Sequence, residues 1–266
     1  MAVVNANKGR TMTTSQPTAA VLLIGDEILS GRTKDKNLGF LADYLTALGI
    51  DLKEARVVSD IEDEIVAAVN ALRARYTYVF TTGGIGPTHD DITADAIAKA
   101  FGVAIDHDPK AVEILLSYFK EIGREPNEAR LRMARIPVGA TLILNPVSKA
   151  PGFQMGNVFV MAGVPKIMNA IMDDVATRLT KGVVMASRGI EFRGGEGDVA
   201  KPLGDIQKAF PGVVIGSYPF QSPEGFATNL VLRSRDVALL GLALSAVMTM
   251  ADELVAAGKA RGWTEA

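Results

Sequence analysis

Residues 81–95 read Thr81-Thr82-Gly83-Gly84-Ile85-Gly86-Pro87-Thr88-His89-Asp90-Asp91-Ile92-Thr93-Ala94-Asp95, and the rest of the chain is read outward from them. The residues before them, 76–80, are aromatic and β-branched, as in a buried strand. Those after, 93–101, carry helical spacing through Ile92, Ala96, Ile97 and Ala100 and stop at Gly102. The stretch is therefore the loop of a strand-loop-helix unit. Gly83, Gly84 and Gly86 let backbone N–H groups approach an anion at a helix N-terminus, where unpaired donors and the dipole favour phosphate. Asp90 and Asp91 close the loop, and carboxylates beside a phosphate repel it unless a cation lies between. The pairing points to phosphate plus a hard divalent metal; the plainer alternative is that Asp91 only caps the helix. Two commoner phosphate motifs are excluded. His89 stands where a dinucleotide fingerprint needs a third glycine, and Gly-Lys-Ser/Thr occurs nowhere.

Upstream, the apolar run 19–24 ends in Gly25-Asp26-Glu27, a strand with a polar site at its carboxyl end. Leu38, Leu41, Leu45 and Leu48, followed by Gly49, describe a helix, and 51–58 a second strand. Ser59-Asp60-Ile61-Glu62 then reads as a capping box, with Asp60 in the first turn, where the dipole stabilises an acid whatever its function. The β-α-β-α-β-α order predicts a mostly parallel sheet covered on both faces, a three-layer α/β/α domain. Gly25 to Glu27, Asp60 and the glycine loop would converge on its carboxyl edge.

Downstream, Asp108-Pro109 opens a helix to about 122, and a shorter one over 127–134 leads into Arg135. Its arginines, Arg130, Arg132 and Arg135, read as a solvated face rather than an anion clamp. Strands 141–144 and 158–162 flank a Pro/Gly-marked turn and predict a hairpin-like extension, followed by a helix over 166–179. After Gly182 the order becomes β-α-β-β-α, with a glycine-rich turn at 193–197 and a long helix over 236–257. The expected organisation is a disordered tail (1–17), the α/β domain (18–181) and a small α+β domain (182–266). The apolar run from Val237 to Ala251 is shorter than a span of about 20 residues, so a buried face or a subunit interface is expected rather than a membrane.

Composition bounds the ligand. The 266 residues are 48% apolar and carry 28 basic against 30 acidic side chains, without the basic footprint of a nucleic-acid binder. A small molecule is expected. With no cysteine and two histidines, disulfides, thiolate chemistry, Cys-bound zinc and His-rich metal sites are excluded, leaving oxygen-bound Mg2+ or a similar divalent cation. Residues 1–16 lack the apolar core of a signal peptide, which points to the cytoplasm.

Gly25-Asp26-Glu27-Ile28-Leu29-Ser30-Gly31 and the glycine loop together resemble the molybdopterin-binding fold of MoaB/Mog proteins. More closely, residues 19–180 are similar to the N-terminal part of competence/damage-inducible protein A (CinA) and the molybdopterin-binding domain of FAD synthases. The resemblance implies that the glycine loop binds the phosphate of molybdopterin or an adenine nucleotide, with paired aspartates supporting magnesium-dependent chemistry there. Carried over, Asp91 and Asp60 are the catalytic and metal-holding residues, and Asp26 and Glu27 form the first acidic loop. The implied ligand-binding set adds Gly25, Ser30, Thr82, Gly83, Gly84, Gly86, Pro87, Asp90, Thr93, Asn145, Ala150, Pro151 and Gly152. The part after Gly182 is similar to the small domain that follows this fold in CinA-like proteins, leaving no room for CinA's amide-hydrolysing domain. The resemblance implies an ADP-ribose/FAD-type pyrophosphatase, with molybdopterin adenylyl transfer or non-catalytic binding as alternatives, in a homo-oligomer (dimer or trimer). Two departures bear on the substrate: Ser148-Lys149 where relatives carry Gly-Thr, and Ala162 and Ile167 where Pro and Glu are commoner.

Overall fold

The computed structural model describes residues 16–266, so the expected tail lies, up to residue 15, outside the described residues. The chain divides into two units after Gly182. The first contains β1 (Thr18–Ile24), α1 (Asp26–Leu29), α2 (Asn37–Ala47), β2 (Asp51–Val58), α3 (Glu62–Arg75), β3 (Tyr78–Thr82) and α4 (Thr93–Phe101). There follow β4 (Ile105–His107), α5 (Pro109–Glu121), α6 (Glu128–Leu131), a 3-10 turn (Arg132–Ala134), β5 (Arg135–Pro137), β6 (Thr141–Ile143), β7 (Gly152–Met155), β8 (Val158–Met161) and α7 (Pro165–Ala176).

Six of these strands form one sheet in the order β2-β1-β3-β8-β7-β6. The first four are parallel and β7 is antiparallel to both its neighbours, giving the expected mostly parallel sheet with a hairpin extension. Strand β1 shows why both faces are covered. Its side chains alternate, so Ala20, Leu22 and Ile24 enter a core with Ile65, Val69, Leu72, Ile97 and Leu115, while Ala19, Val21 and Leu23 meet Leu41, Leu45, Met168, Ile171 and Val175. The ribbon β4–β5 was not expected; three residues per strand leave too little periodicity to read.

The capping box at 59–62 does not form. Helix α3 starts at Glu62 with Ile61 as N-cap and no side-chain cap bond, so Asp60 lies before the helix rather than in its first turn. Glu62 instead pairs with Lys99.

The second unit comprises β9 (Ala186–Gly194), α8 (Glu196–Ala209), β10 (Val214–Ser222), β11 (Gly225–Ser234), α9 (Val237–Ala256) and β12 (Ala260–Glu265). Its antiparallel sheet runs β10-β11-β9-β12. Strand β12 corrects the expected β-α-β-β-α order; it pairs with β9, setting Trp263 opposite Phe192. Helix α9 buries Leu240, Ala243, Leu244, Val247 and Met250 against Ile190, Phe192 and Leu230. Its 20 residues lie within the helix expected over 236–257, and it is long and apolar enough to cross a membrane by length and composition.

Candidate functional site

Because β1, β3 and β8 run parallel, Gly25 to Glu27, the glycine loop and residues 162–165 leave the sheet from one edge, and the turn after β6 reaches the same edge. The strand order thus accounts for the convergence. These segments enclose a cleft of about 610 Å3. Glu27, Thr33, the loop from Gly83 to Pro87, Asp91, Ser148 and Gly163 line it, with an apolar wall from Tyr118, Phe119, Met133, Ala150, Ala162, Val164, Pro165 and Ile167.

The loop turns through Gly83 and Gly84, whose φ angles are 108° and 66°. A Cβ on Gly83 would sit 2.1 Å from the Ile24 carbonyl oxygen, and one on Gly84 2.2 Å from Thr93 Oγ1. Thr93 is fully buried; its N–H donates to Gly84 O and its hydroxyl to Gly83 O, each at 3.0 Å. Gly83 N–H is spent on Met161 O at 3.1 Å. Both glycine carbonyls are therefore drawn inward, and among the described residues the N–H groups of Gly84, Ile85 and Gly86 have no hydrogen-bond partner. Helix α7 adds a first turn to the cleft with Val164 as N-cap and no side-chain cap bond.

Asp91 does not cap α4, whose N-cap is Ile92. Its Oδ2 accepts from the Thr88 N–H at 2.8 Å and from the Thr88 hydroxyl, closing the loop on itself. Asp60 does not line the cleft; its Oδ2 accepts from the Asp26 N–H at 2.9 Å and so holds the first acidic loop in place. Burial raises the Asp60 carboxyl above the usual carboxylate range. The Asp26 N–H opposes that shift, and the charges of Asp26, Glu27 and Asp90 add to it. Asp90 is exposed and outside the cleft, and hydrogen bonding within the loop holds its carboxyl low.

The remaining expected residues divide by what their atoms do. Gly25, Gly83, Gly84, Gly86, Pro87, Glu27, Asp91 and Ala150 are at or beside the cleft, whereas Ser30 ends α1 and Asp26 is exposed outside it. Thr82 is buried, its hydroxyl facing Asn37 Nδ2 at 3.4 Å. Gly152 opens β7, where a Cβ would meet Val160 O at 2.4 Å, and Pro151 lines a small void beneath the loop. Asn145 spends its side chain on its own turn. It accepts from the N–H groups of Val147 and Ser148 at 2.9 and 3.2 Å and donates to Ser148 Oγ and Ala150 O at 2.8 and 3.1 Å.

Several residues were not anticipated. Asn37, 3% exposed, donates to Gly163 O at 2.8 Å and ties α2 to the turn after β8; its place at a helix start reads as an ordinary cap. The arginines are not a solvated face. Arg135 grips Asp95 through two nitrogens at 2.9 and 2.5 Å, Arg132 donates to Asp91 O at 3.2 Å, and Arg130 stacks 5.4 Å over Phe119. Tyr118, Phe119 and Met133 line the cleft although their spacing reads as helix core. Ser148, Ala162 and Ile167, the departures noted above, all line it, and the adjoining Lys149 adopts φ 61°.

The cleft holds two carboxylates, Glu27 and Asp91, and no lysine, arginine or histidine. A phosphate there meets free N–H groups and hydroxyls, with uncompensated negative charge nearby. Among the described residues no three His, Asp or Glu side chains gather to hold a metal ion. Magnesium commonly uses one or two carboxylates, waters and the substrate's own phosphates, so Glu27 and Asp91 suit a cation that arrives with its phosphate.

Residues 20–181 match the family model described as "Probable molybdopterin binding domain". The chain belongs to this family. Residues 184–258 match "FAD synthase, middle domain", which corresponds to the second unit. A protein of Pyrobaculum calidifontis is 35% identical over 212 residues, covering 76% of this chain and 81% of that one. A CinA-like protein of Desulfosudis oleivorans is 37% identical over 159 residues, 58% of this chain but only 38% of that longer protein. The solved structure of CinA from Thermoplasma acidophilum is 35% identical with a TM-score of 0.56, covering 61% of this chain and 97% of that one. Within the molybdopterin-binding family the chain is therefore of the CinA type.

Proposed function

We propose that the cleft binds a phosphate-bearing heterocycle and catalyses divalent-metal-dependent hydrolysis of a phosphoanhydride, as in an ADP-ribose/FAD-type pyrophosphatase. The observation that carries this reading is the set of free Gly84, Ile85 and Gly86 N–H groups in a loop that lines a cleft with two carboxylates and no basic side chain. The apolar wall suits a planar ring, the N–H groups would hold a phosphate, and donors fixed in place stabilise charge as it develops there. Asp91 would orient the attacking water, whose oxygen bonds to phosphorus as the bridging P–O bond breaks. A bound divalent cation supplies charge neutralisation at the phosphate, and Glu27 and Asp91 are the carboxylates that would hold it. Asp60 acts through Asp26 and is a positioning residue. The match of the second unit to a FAD synthase domain favours a dinucleotide substrate.

A second reading, molybdopterin binding with or without adenylyl transfer, is favoured by the family description itself. One chromatographic assay separates the two, using ADP-ribose, FAD, NAD and ATP with and without magnesium or cobalt, alongside Asp91→Asn. AMP released from ADP-ribose or FAD only with metal, and lost in the variant, supports the hydrolase. No turnover of any of them, with saturable pterin binding, supports the second reading.

A further inference from the structure

The Ser148 hydroxyl is held at the cleft with its proton unspent. Ser148 lines the cleft from the turn between β6 and β7, a turn organised by the buried Asn145 side chain. Because Asn145 Oδ1 accepts from the Val147 and Ser148 N–H groups, its Nδ2 is the atom that meets Ser148 Oγ at 2.8 Å and Ala150 O at 3.1 Å. An amide nitrogen donates and does not accept, so Ser148 Oγ is the acceptor and its own proton points elsewhere. Among the described residues that proton has no acceptor. Accepting from Asn145 also polarises the hydroxyl into a stronger donor. The next residue, Lys149, adopts φ 61°, a left-handed conformation uncommon for a residue with a side chain and kept here by the bonds around it.

Strand order separates this hydroxyl from the free amides of the glycine loop. The loop leaves β3 and the turn leaves β6, with β8 and β7 between them, so the two segments root three strand spacings apart, about 14 Å. Ser148 stands instead beside the apolar wall. Ala150 is part of that wall, and Lys149 shares a neighbouring hollow of about 360 Å3 with the wall residue Tyr118. We propose that Ser148 is a specificity-determining residue, which donates to an acceptor atom on the edge of the ligand's ring, a ring nitrogen or a carbonyl oxygen. The inference rests on the reading that the cleft takes a phosphate-bearing heterocycle, and adds the group that reads the heterocycle. A site built to donate at one ring position discriminates against rings that lack an acceptor there.

Isothermal titration of the full chain with ADP, inorganic pyrophosphate and xanthopterin, with magnesium present, compares wild type with Ser148→Ala and Ser148→Thr. Both variants keep the Asn145 bond to Ala150 O, and matching circular dichroism spectra check the fold. Losing one neutral hydrogen bond should weaken ADP binding about two- to tenfold in Ser148→Ala, and Ser148→Thr should restore it. Pyrophosphate, which has no ring, should bind wild type and both variants alike. The acceptors on adenine are N1, N3 and N7, so ADP analogues with each of these in turn replaced by C–H locate the contact. One analogue should bind wild type as weakly as Ser148→Ala binds ADP and be indifferent to the substitution. ADP and xanthopterin that bind Ser148→Ala as tightly as wild type would overturn the assignment and leave the cleft reading standing. A loss shared equally by pyrophosphate would place Ser148 on the phosphate and overturn the ring contact too. Xanthopterin binding that depends on Ser148, in a protein that binds neither ADP nor pyrophosphate, would support the ring contact and overturn the phosphate reading instead. Wild type that binds none of the probes would overturn both.

Discussion

Gly84→Ala tests the argument that the loop's shape sets its chemistry. The residue sits at φ 66°, and an added Cβ would lie 2.2 Å from the Thr93 hydroxyl oxygen. Holding alanine in the left-handed region costs about 1–2 kcal/mol. Pushing the hydroxyl aside forfeits its 3.0 Å bond to Gly83 O, worth about 0.5–1.5 kcal/mol. The expected loss is about 2–3 kcal/mol against a typical stability of about 5–15 kcal/mol, so the variant folds. Urea denaturation followed by circular dichroism measures the loss, and Trp263 fluorescence follows the second unit separately. Thr93→Ala supplies the second arm. It leaves Gly83 O unpaired at a cost of about 1–3 kcal/mol, but it also removes the atom Gly84→Ala strikes. The double variant should therefore be less destabilised than the sum of the singles by about 1 kcal/mol, because the lost bond to Gly83 O is counted once and the backbone strain remains. Nucleotide affinity should fall in Gly84→Ala as the free N–H groups are re-aimed. Strict additivity, or a loss in Gly84→Ala too small to measure, would refute the bracing role assigned to Thr93.

Asp60→Asn addresses charge. The raised folded carboxyl binds a proton that the unfolded chain has already lost, so wild-type stability falls as pH rises from about 3.9 through the folded value, and the penalty is complete above it. The asparagine can still accept from Asp26 N–H but does not titrate, so the variant should gain on wild type across that window; parallel stability profiles would refute this. Asn145→Ala should cost about 2–3 kcal/mol by thermal denaturation, since it removes four bonds from a side chain that is 5% exposed, and it should also weaken nucleotide binding because Ser148 and Ala150 line the cleft. Asn145→Asp, which keeps the two acceptor bonds, should recover part of both. We also propose that the chain self-associates as a dimer or trimer through the outer side of α9, where Val237 and Leu242 are 70% and 63% exposed; light scattering that finds a monomer at micromolar concentration would overturn it.

The parts of the fold legible in advance were those with a local cause. Residues 19–24 alternate between two apolar faces, Gly102 and Asp108-Pro109 punctuate helices, and three strand ends followed by glycine or acid define one edge of a parallel sheet. What escaped was set by partners far away in the chain. Ser59 to Glu62 has the spacing of a capping box, yet the Asp60 carboxylate is claimed by Asp26 N–H 34 residues away, and Glu62 pairs with Lys99. Arg132 and Arg135 look solvated beside Glu128, but Asp95, 40 residues from Arg135, turns them toward the underside of the glycine loop. The same distinction runs through the site. The glycines and Thr93 that shape the loop lie within one strand-loop-helix unit and could be named from it. The aromatic wall of Tyr118 and Phe119 reaches the cleft because α5 is carried over the sheet by a crossover that no local pattern records. The loop's amides can engage a phosphate of any ligand, whereas the surfaces that select the rest of the molecule, the apolar wall and the positions Ser148, Ala162 and Ile167, are assembled by the fold. The shape of the loop is therefore readable from the sequence, and what it binds has to be tested on the protein.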